Sequence, residues 1–309
     1  MRLKPILRGI RTYLPGWRCV PGTGGTVSAR YCYSVWLRHA TLARRNGLRE
    51  LPKVVAEFGP GDSIGIGLAA LASGCEQYYG LDLVRHASAP RNAQIFDELV
   101  DLFRARAPIP GDDEWPNVAP KLEDYRFPGD VFDEARLAAA LDGARLARIR
   151  ASILNADAPG SAVQYRVPWM DERVVETGSV DLIYSQAVLE HVDDLKKAYR
   201  AMARWIKPGG YMSHVVDFKC HELADEWNGH WAYPEFVWRL IRGRRPFLLN
   251  REPHSTHVRL LREQGFELVC NRATTLPSRL IRAHLPRRAR AFSDDDLATS
   301  GAFIQAVKP

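Results

Sequence analysis

An α/β fold, a doubly wound and mostly parallel sheet of seven strands, follows from three observations in the sequence. A short apolar run, Lys53 to Phe58 (KVVAEF), breaks into the turn Gly59-Pro60-Gly61-Asp62. Apolar runs of strand length then alternate with helical periods along most of the chain. A second turn, Lys207-Pro208-Gly209-Gly210, launches the run YMSHVVD at 211–217. Short apolar runs bounded by turns read as strands buried on both faces, and their alternation with helices implies crossovers that cover a parallel sheet.

The elements follow in order. After the first strand at 53–58, the small, apolar stretch Ser63 to Ser73 with Gly74 behind it reads as a helix packed on the sheet. A second strand at 77–83 (QYYGLDL) precedes a helix marked by Ile95, Leu99, Leu102 and Phe103. Prolines and aspartates interrupt the alternation from Pro108 to Pro128, and a helical period through Leu137, Leu141, Leu146 and Ile149 runs from Phe132 to Leu154. Strands near Val163–Val167 and at 180–185 (VDLIYS), a helix from about Asp193 to Ile206 and the strand at 211–217 restore the pattern. Phe218 to Ser255 is a second interruption, rich in tryptophan, histidine and arginine. A helix (THVRLLREQG) closed by Gly265, a strand from Phe266 to Cys270 and a last strand, AFIQAVKP, complete the chain. The expected organisation is an N-terminal extension over 1–50 that covers the ligand site, and one domain over 51–309. Helical and aromatic insertions at about 108–155 and 218–255 would form a cap.

With 309 residues, 46% hydrophobic and 26% charged, the chain can bury one substantial core. Cys19, Cys32, Cys75, Cys220 and Cys270 are odd in number and widely spread, which fits a reduced cytoplasmic protein without structural zinc. The opening MRLKPILRGIRTYLPGW is basic and apolar but has neither a sustained hydrophobic segment nor a small-residue cleavage site, so it does not read as a secretory signal. No stretch reaches the roughly 18 apolar residues of a membrane span, so only peripheral membrane contact through the N-terminus is open. The net charge of +7 would suit an acidic partner, but it is dispersed. Clusters such as Arg242, Arg244 and Arg245 or Arg287, Arg288 and Arg290 read as solvated faces, against a nucleic-acid role. Nothing in the sequence sets an oligomeric state.

The chemistry is densest at Glu57-Phe58-Gly59-Pro60-Gly61-Asp62-Ser63. Gly59 and Gly61 allow a sharp turn and let the backbone approach a nucleotide-like ligand. Glu57, at the strand end, can organise the loop or take the amino group of an amino-acid ligand. A dinucleotide fingerprint would place its third glycine at Ile64, and that argues against a nicotinamide-dependent oxidoreductase. The loop is acidic at Glu57 and Asp62, hostile to pyrophosphate and tolerant of a sulfonium and ammonium ligand. About 20 residues on, Asp82 in Gly80-Leu81-Asp82-Leu83 stands where a carboxylate accepts ribose hydroxyls.

The series EFGPGDS, GLDLV, SVDLIYSQAVLEHVDD and IKPGGYMSHVVD resembles, in order and spacing, the class I, Rossmann-like S-adenosylmethionine-dependent methyltransferases. The resemblance covers roughly residues 53–217 outside the insertion and weakens to the level of the fold from 256 to 309. It implies S-adenosyl-L-methionine as cofactor. It implies further that Glu57, Gly59, Pro60 and Gly61 line its methionine part, that Asp82 and Leu83 hold the ribose, and that the stretch from Ser185, Gln186 and Ala187 to His191 closes over the sulfonium. For adenine the sequence leaves two stretches open, Asn155-Ala156-Asp157-Ala158 and Pro168-Trp169-Met170.

In-line methyl transfer needs alignment and exclusion of water, and an oxygen acceptor usually needs a base as well. Asp217 ends the fifth strand with His221 four residues on, a spacing at which the carboxylate could orient the imidazole; a capping Asp with a surface His is the plainer alternative. His191 is a rival, and His230, His254 and His257 are further options; with no compact histidine pair, no metal is expected. Trp227, Trp231, Tyr233, Phe236 and Trp238, with Asn228, His230, Asn250 and Arg251, could face a glycan or planar acceptor, or could form the small core of a lid. Tyr31, Tyr33 and His39 follow the flexible Gly22-Thr23-Gly24-Gly25 and could gate the site, or belong to a helix that packs on the sheet. The expectation is methyl transfer to an oxygen of a small molecule or saccharide. An RNA or protein methyltransferase and a non-catalytic cofactor-binding scaffold are the alternatives; an RNA enzyme acting on base amino groups would carry an Asn/Asp-Pro-Pro-aromatic signature where this chain reads Ser185-Gln186-Ala187-Val188.

Overall fold

The computed structural model describes residues 2–16 and 25–309; Cys19 and the glycine stretch at 22–24 lie outside the described residues. The strands β1 (Val54–Phe58), β2 (Gln77–Leu81), β3 (Val163–Arg166), β4 (Val180–Gln186), β5 (Ile206–Asp217), β6 (Glu267–Thr275) and β7 (Thr299–Val307) form a seven-stranded sheet in the order β3-β2-β1-β4-β5-β7-β6. Pairing is parallel from β3 to β5, while β7 is antiparallel to both of its neighbours, β5 and β6. The chain winds outward in one direction through β2 and β3 and in the other through β4 and β5. The carboxyl ends of β1 and β4 therefore open a crevice where the winding reverses, the place at which such sheets bind ligands.

The longer helices are α1 (Leu3–Arg11), α2 (Ala29–Arg45), α3 (Gly65–Ala72), α4 (Ala89–Arg104), α5 (Glu134–Ala140), α6 (Gly143–Leu154), α7 (Leu195–Trp205), α8 (Glu235–Arg242) and α9 (His254–Glu263), followed by two short ones, α10 (Arg287–Arg290) and α11 (Asp294–Ala298). Side chains alternate between the two faces of a strand, so Val55 and Leu182 enter a core with α2, α3, α4 and α6, while Ala56 and Ile183 enter another with α7 and α9. Both faces are thus covered, and the central strands can be apolar throughout.

Although it carries four arginines and a histidine, α2 is buried along most of its length. Its Arg38 guanidinium has no exposure and donates to the carbonyls of Pro110 (2.9 Å), Val118 (2.9 Å) and Pro120 (3.0 Å). A buried charge is tolerated only when hydrogen-bonded, and here the proline-rich turns, with few backbone partners of their own, supply the acceptors. The first insertion is thereby strapped to α2 and α4. The cap over the crevice comes from the second insertion, which brings His221, Pro246 and Phe247 to the site. The single helical period expected over 132–154 is split into α5 and α6, because Asp142 accepts the Arg145 amide (3.0 Å) and caps a new helix at Gly143. β6 runs to Thr275, beyond the expected end at Cys270, since an edge strand can carry the polar run Asn271–Thr275 toward solvent.

Candidate active site

The turn after β1 places Gly59 at φ +72° and Gly61 at φ +74°, a left-handed conformation that costs other residues roughly 1–2 kcal/mol. A Cβ on Gly59 would stand 2.5 Å from Val188 Cγ1, so the bare backbone is what lets the β4 loop lie against it. The loop is latched from the N-terminal side. Thr26 Oγ1 donates to the Pro60 carbonyl (2.9 Å) and accepts the Ser63 amide (2.9 Å), while the Gly25 amide donates to Asp62 Oδ2 (3.0 Å).

Around this turn lies a cavity of about 390 Å³. Of the expected cofactor contacts, Glu57, Gly59, Pro60, Gly61, Asp82, Leu83, Gln186 and Ala187 all line it. Ser185 does not: its fully buried hydroxyl is bonded to His214 Nδ1 (2.8 Å), because alternation along β4 turns that side chain away from the crevice. Of the two stretches open for adenine, the cavity wall includes Trp169, which packs on Phe58 with ring centroids 4.6 Å apart. Asp157 is instead occupied by the Tyr165 amide (2.6 Å) and by Arg85 (3.2 Å).

The two carboxylates of the cavity are held differently. Glu57 is buried and accepts from Tyr78 Oη (2.7 Å) and Tyr184 Oη (3.3 Å); burial pushes its carboxyl up to about 8 against the pull of these hydroxyls. Asp82 Oδ1 accepts the Leu83 amide (2.7 Å) and Oδ2 the Gly61 amide (3.4 Å), which ties the end of β2 to the glycine turn; burial raises its carboxyl too. The polar groups fit S-adenosylmethionine: the Glu57 carboxyl for an ammonium group, whose positive charge would favour loss of the carboxyl proton, the Asp82 carboxylate for ribose hydroxyls, an indole wall for a base, and a glycine cradle that a Cβ would fill.

Two imidazoles, His191 and His221, also line the cavity, with ring centroids 5.4 Å apart. His191 Nδ1 lies 2.8 Å from the Phe247 carbonyl, which can only accept, so this nitrogen carries the proton and Nε2 is left with its lone pair. Burial lowers the His191 imidazole to about 4. His221 Nε2 lies 3.3 Å from Asp217 Oδ2. Asp217 falls to about 2: burial works against its charge but is outweighed by His221, the Lys219 amide and the Lys219 ammonium. His221 is held at φ +46°, Ala187 at φ +53° and Phe247 at φ +57°, so three non-glycine residues of the cavity wall sit in the left-handed region. Beside the Asp217–His221 pair, Glu190 is buried with both carboxylate oxygens unpartnered, and burial together with the Asp217 charge raises it to about 8.

The aromatic residues weighed as an acceptor surface, Trp227, Trp231, Tyr233, Phe236 and Trp238, do not line the cavity. Trp231, Tyr233 and Trp238 are buried in cores, Trp227 Nε1 donates to the Pro277 carbonyl (2.9 Å), and Phe236 points to solvent. Asn228 is bonded to Ser278 Oγ and the Leu297 carbonyl, Asn250 to the Leu189 and Val192 carbonyls, and Arg251 to Glu235. His230 and His257 are buried, and His254 is bonded to Asn271, all away from the cavity. Of the three residues weighed as a gate, Tyr31 lines the site. Tyr33 donates to the Ala107 carbonyl, and His39 lies between Ser213 and Gln186. Sequence reasoning missed Thr26, His86, Pro246 and Phe247. The last two reach the cavity only through the tertiary path of the insertion, for which no local pattern exists.

Comparison with known proteins gives the following. A family described as a methyltransferase domain matches residues 35–272. Solved structures with a similar fold include a complex between the Haloferax volcanii Trm112 methyltransferase activator and a candidate methyltransferase, at 17% identity and a TM-score of 0.42, covering 91% of this chain and 94% of that one. A SAM-dependent methyltransferase from Methanosarcina mazei is 14% identical with a TM-score of 0.45, covering 86% and 96%. Haemonchus contortus phosphoethanolamine N-methyltransferase 2, in complex with S-adenosyl-L-methionine, is 15% identical with a TM-score of 0.42, covering 91% of this chain and 56% of that one. No curated protein sequence matches the chain. Likeness at this distance bears on no acceptor.

Proposed function

Because the chain belongs to the methyltransferase-domain family and is an S-adenosylmethionine-dependent methyltransferase, we propose that it moves the methyl group to an oxygen of a small molecule, with His221 as base and Asp217 as its positioning partner. The observation that carries this reading is the contact of Asp217 with His221, whose imidazole lines the same cavity as the glycine turn. The cofactor supplies a methyl group already activated by its sulfonium. What the chain must add is alignment, exclusion of water and a place for the acceptor proton. With the Asp217 carboxylate accepting the Nε2 proton, the Nδ1 lone pair of His221 is free to take a proton from a hydroxyl. Glu57 would hold the cofactor ammonium, Asp82 the ribose, Pro60, Gly61 and Leu83 the backbone side of the cleft, and Gln186 and Ala187 the sulfonium end. Gln186 is fixed for that task by the hydrogen bond its Nε2 donates to the Ala119 carbonyl (3.0 Å) and by His39 at its Oε1.

Around the two imidazoles the wall is Val188, Val192, Pro246 and Phe247. An apolar wall with few polar groups suits a hydroxylated molecule with an apolar body better than a saccharide, whose hydroxyls need partners. A single cavity of this size, shared between cofactor and acceptor, also favours a small acceptor over a folded protein or an RNA. The test is transfer from labelled S-adenosylmethionine to separate panels of hydroxylated small molecules, saccharides, RNA and protein, by wild type and by His221→Ala. Transfer to a hydroxylated small molecule, lost in the variant, supports the proposal. Transfer to RNA, to protein or to nitrogen overturns it, and cofactor binding with no transfer to any panel would favour a scaffold.

A further inference from the structure

The helix α1 packs the wrong way round for a helix that serves only a core. Its buried residues are the small or ring-closed Pro5 and Gly9, while Leu3 is 68% exposed, Leu7 55% and Ile10 42%. Leu3, Leu7 and Ile10 are spaced as one helical stripe, and Tyr13 and Leu14 continue the exposed apolar surface. The inward contact is a close approach of backbones. A Cβ on Gly9 would lie 1.9 Å from the Leu240 carbonyl oxygen, and one on Gly243 would lie 2.2 Å from that of Gly9. On α8, the neighbour, Phe236 is 67% exposed and Leu240, one turn on, is also exposed, so two apolar ridges adjoin.

The charge carried by α1 has one sign, although Asp225 pairs with Arg2 and Glu235 stands beside Phe236 on α8. Residues 2–16 contain Arg2, Lys4, Arg8 and Arg11 and no acidic residue. Lys4, Arg8 and Arg11 each follow a residue of the stripe, are exposed, and form no ion pair among the described residues. The Arg244 guanidinium lies over the Tyr13 ring at 5.2 Å. A convex ridge of large aliphatic side chains with cations along its flank matches an anionic lipid surface, which yields to the ridge and neutralises the flank. A second copy of the same face would bring like charges together. Among the described residues no helix is long and apolar enough to cross a membrane, so the contact is one of lying on the surface.

We propose that the protein docks on anionic membranes through α1 and α8, with Leu3, Leu7, Ile10 and Phe236 entering the lipid and Lys4, Arg8 and Arg11 meeting the headgroups. The face adjoins the active site: Pro246 lines both the cleft under Tyr13 and Leu14 and the main cavity.

The experiment is flotation of the full chain with vesicles of phosphatidylcholine alone, or with about one third phosphatidylglycerol, at low and high salt. Binding to the anionic vesicles, weakened by salt, is expected. Leu7→Glu should lower it at least about tenfold, since a fully buried leucine contributes that much to transfer. Arg8→Ala combined with Arg11→Ala should weaken binding to anionic vesicles only. Both changes are at exposed positions, and unaltered affinity for S-adenosylhomocysteine checks that the fold is intact. Failure of the wild type to float with any vesicle, or equal flotation of Leu7→Glu, would overturn the proposal. So would a dimer in sedimentation velocity that Leu7→Glu dissolves without vesicle binding by either protein, because the face would then belong to a second copy.

Discussion

Replacing Gly59 by alanine tests the glycine turn in a way that separates its two physical demands. At φ +72° an alanine is strained by roughly 1–2 kcal/mol whatever the space around it. Its Cβ would also stand 2.5 and 2.8 Å from the two Cγ atoms of Val188, an overlap of the kind that costs about 1–3 kcal/mol in packed interiors. Together Gly59→Ala should destabilise the protein by about 2–5 kcal/mol. For a chain of 309 residues that lowers the melting temperature by roughly 3–8 °C. Adding Val188→Ala removes the overlap but leaves the backbone strain, so the double variant should recover the steric part and retain a deficit of about 1–2 kcal/mol relative to Val188→Ala alone. Thermal unfolding with and without S-adenosylhomocysteine, alongside calorimetric titration of the same ligand, measures both stability and affinity. Additive effects of the two substitutions would refute the contact between the turn and Val188. A Gly59→Ala protein as stable as wild type would refute the argument for glycine altogether.

Other expectations follow from the same geometry. Asp82→Ala should weaken S-adenosylhomocysteine binding roughly hundredfold or more, the loss of two charge-assisted hydrogen bonds at about 1.5–3 kcal/mol each, and calorimetry showing unchanged affinity would move the ribose contact elsewhere. His221→Ala should cut turnover by about 10²–10⁴ with cofactor affinity kept. Asp217→Asn should show a smaller loss with a changed pH profile, and full activity of either variant would remove the pair from the chemistry. Stability should peak near pH 6.5. Burial lowers His39 and His191 to about 4 and His214, His230 and His257 to about 3 from 6.5, so below that pH the unfolded chain takes up protons the fold refuses, and stability falls with acid. Glu57 and Glu190, raised from 4.5 to about 8, oppose this: the fold holds their protons, and stability falls as pH rises through that window. The histidines outnumber the carboxyls below 6.5 and only the carboxyls act above it; a melting temperature that rises steadily from pH 5 to 8 would contradict this balance.

The sheet was legible because a strand buried on both faces leaves a plain mark, a short apolar run such as KVVAEF cut off by glycine and proline. That Glu57, Gly59, Gly61 and Asp82 share one cavity was legible for a related reason: their placement depends on local backbone position at strand ends. Side-chain direction was harder. Ser185 and Gln186 are neighbours in sequence, yet alternation sends one to His214 and the other to the cavity. The depth of α2 was hidden by Arg38 and His39, whose burial depends on acceptors far along the chain. The aromatic insertion could not be assigned from sequence alone, since tryptophans that stack on an acceptor and tryptophans that fill a small core share one composition; the structure takes the second course for Trp231 and Trp238.

The position of β7 has a consequence for how the protein is made. It lies between β5 and β6, so β6 leaves the ribosome before the strand that joins it to the sheet. At ordinary rates of translation the wait between Thr275 and Val307 lasts about 2–6 s, during which β5 offers an open edge and β6 has no partner. An unpaired strand is an invitation to aggregate, and β6 is armed against it: most of its length is polar or exposed, with Asn271, Arg272, Thr274 and Thr275 in its second half. The nascent chain therefore carries its least sticky strand through its most vulnerable interval, and a stop codon ahead of β7 would leave both the edge of β5 and the whole of β6 waiting for a partner that never arrives.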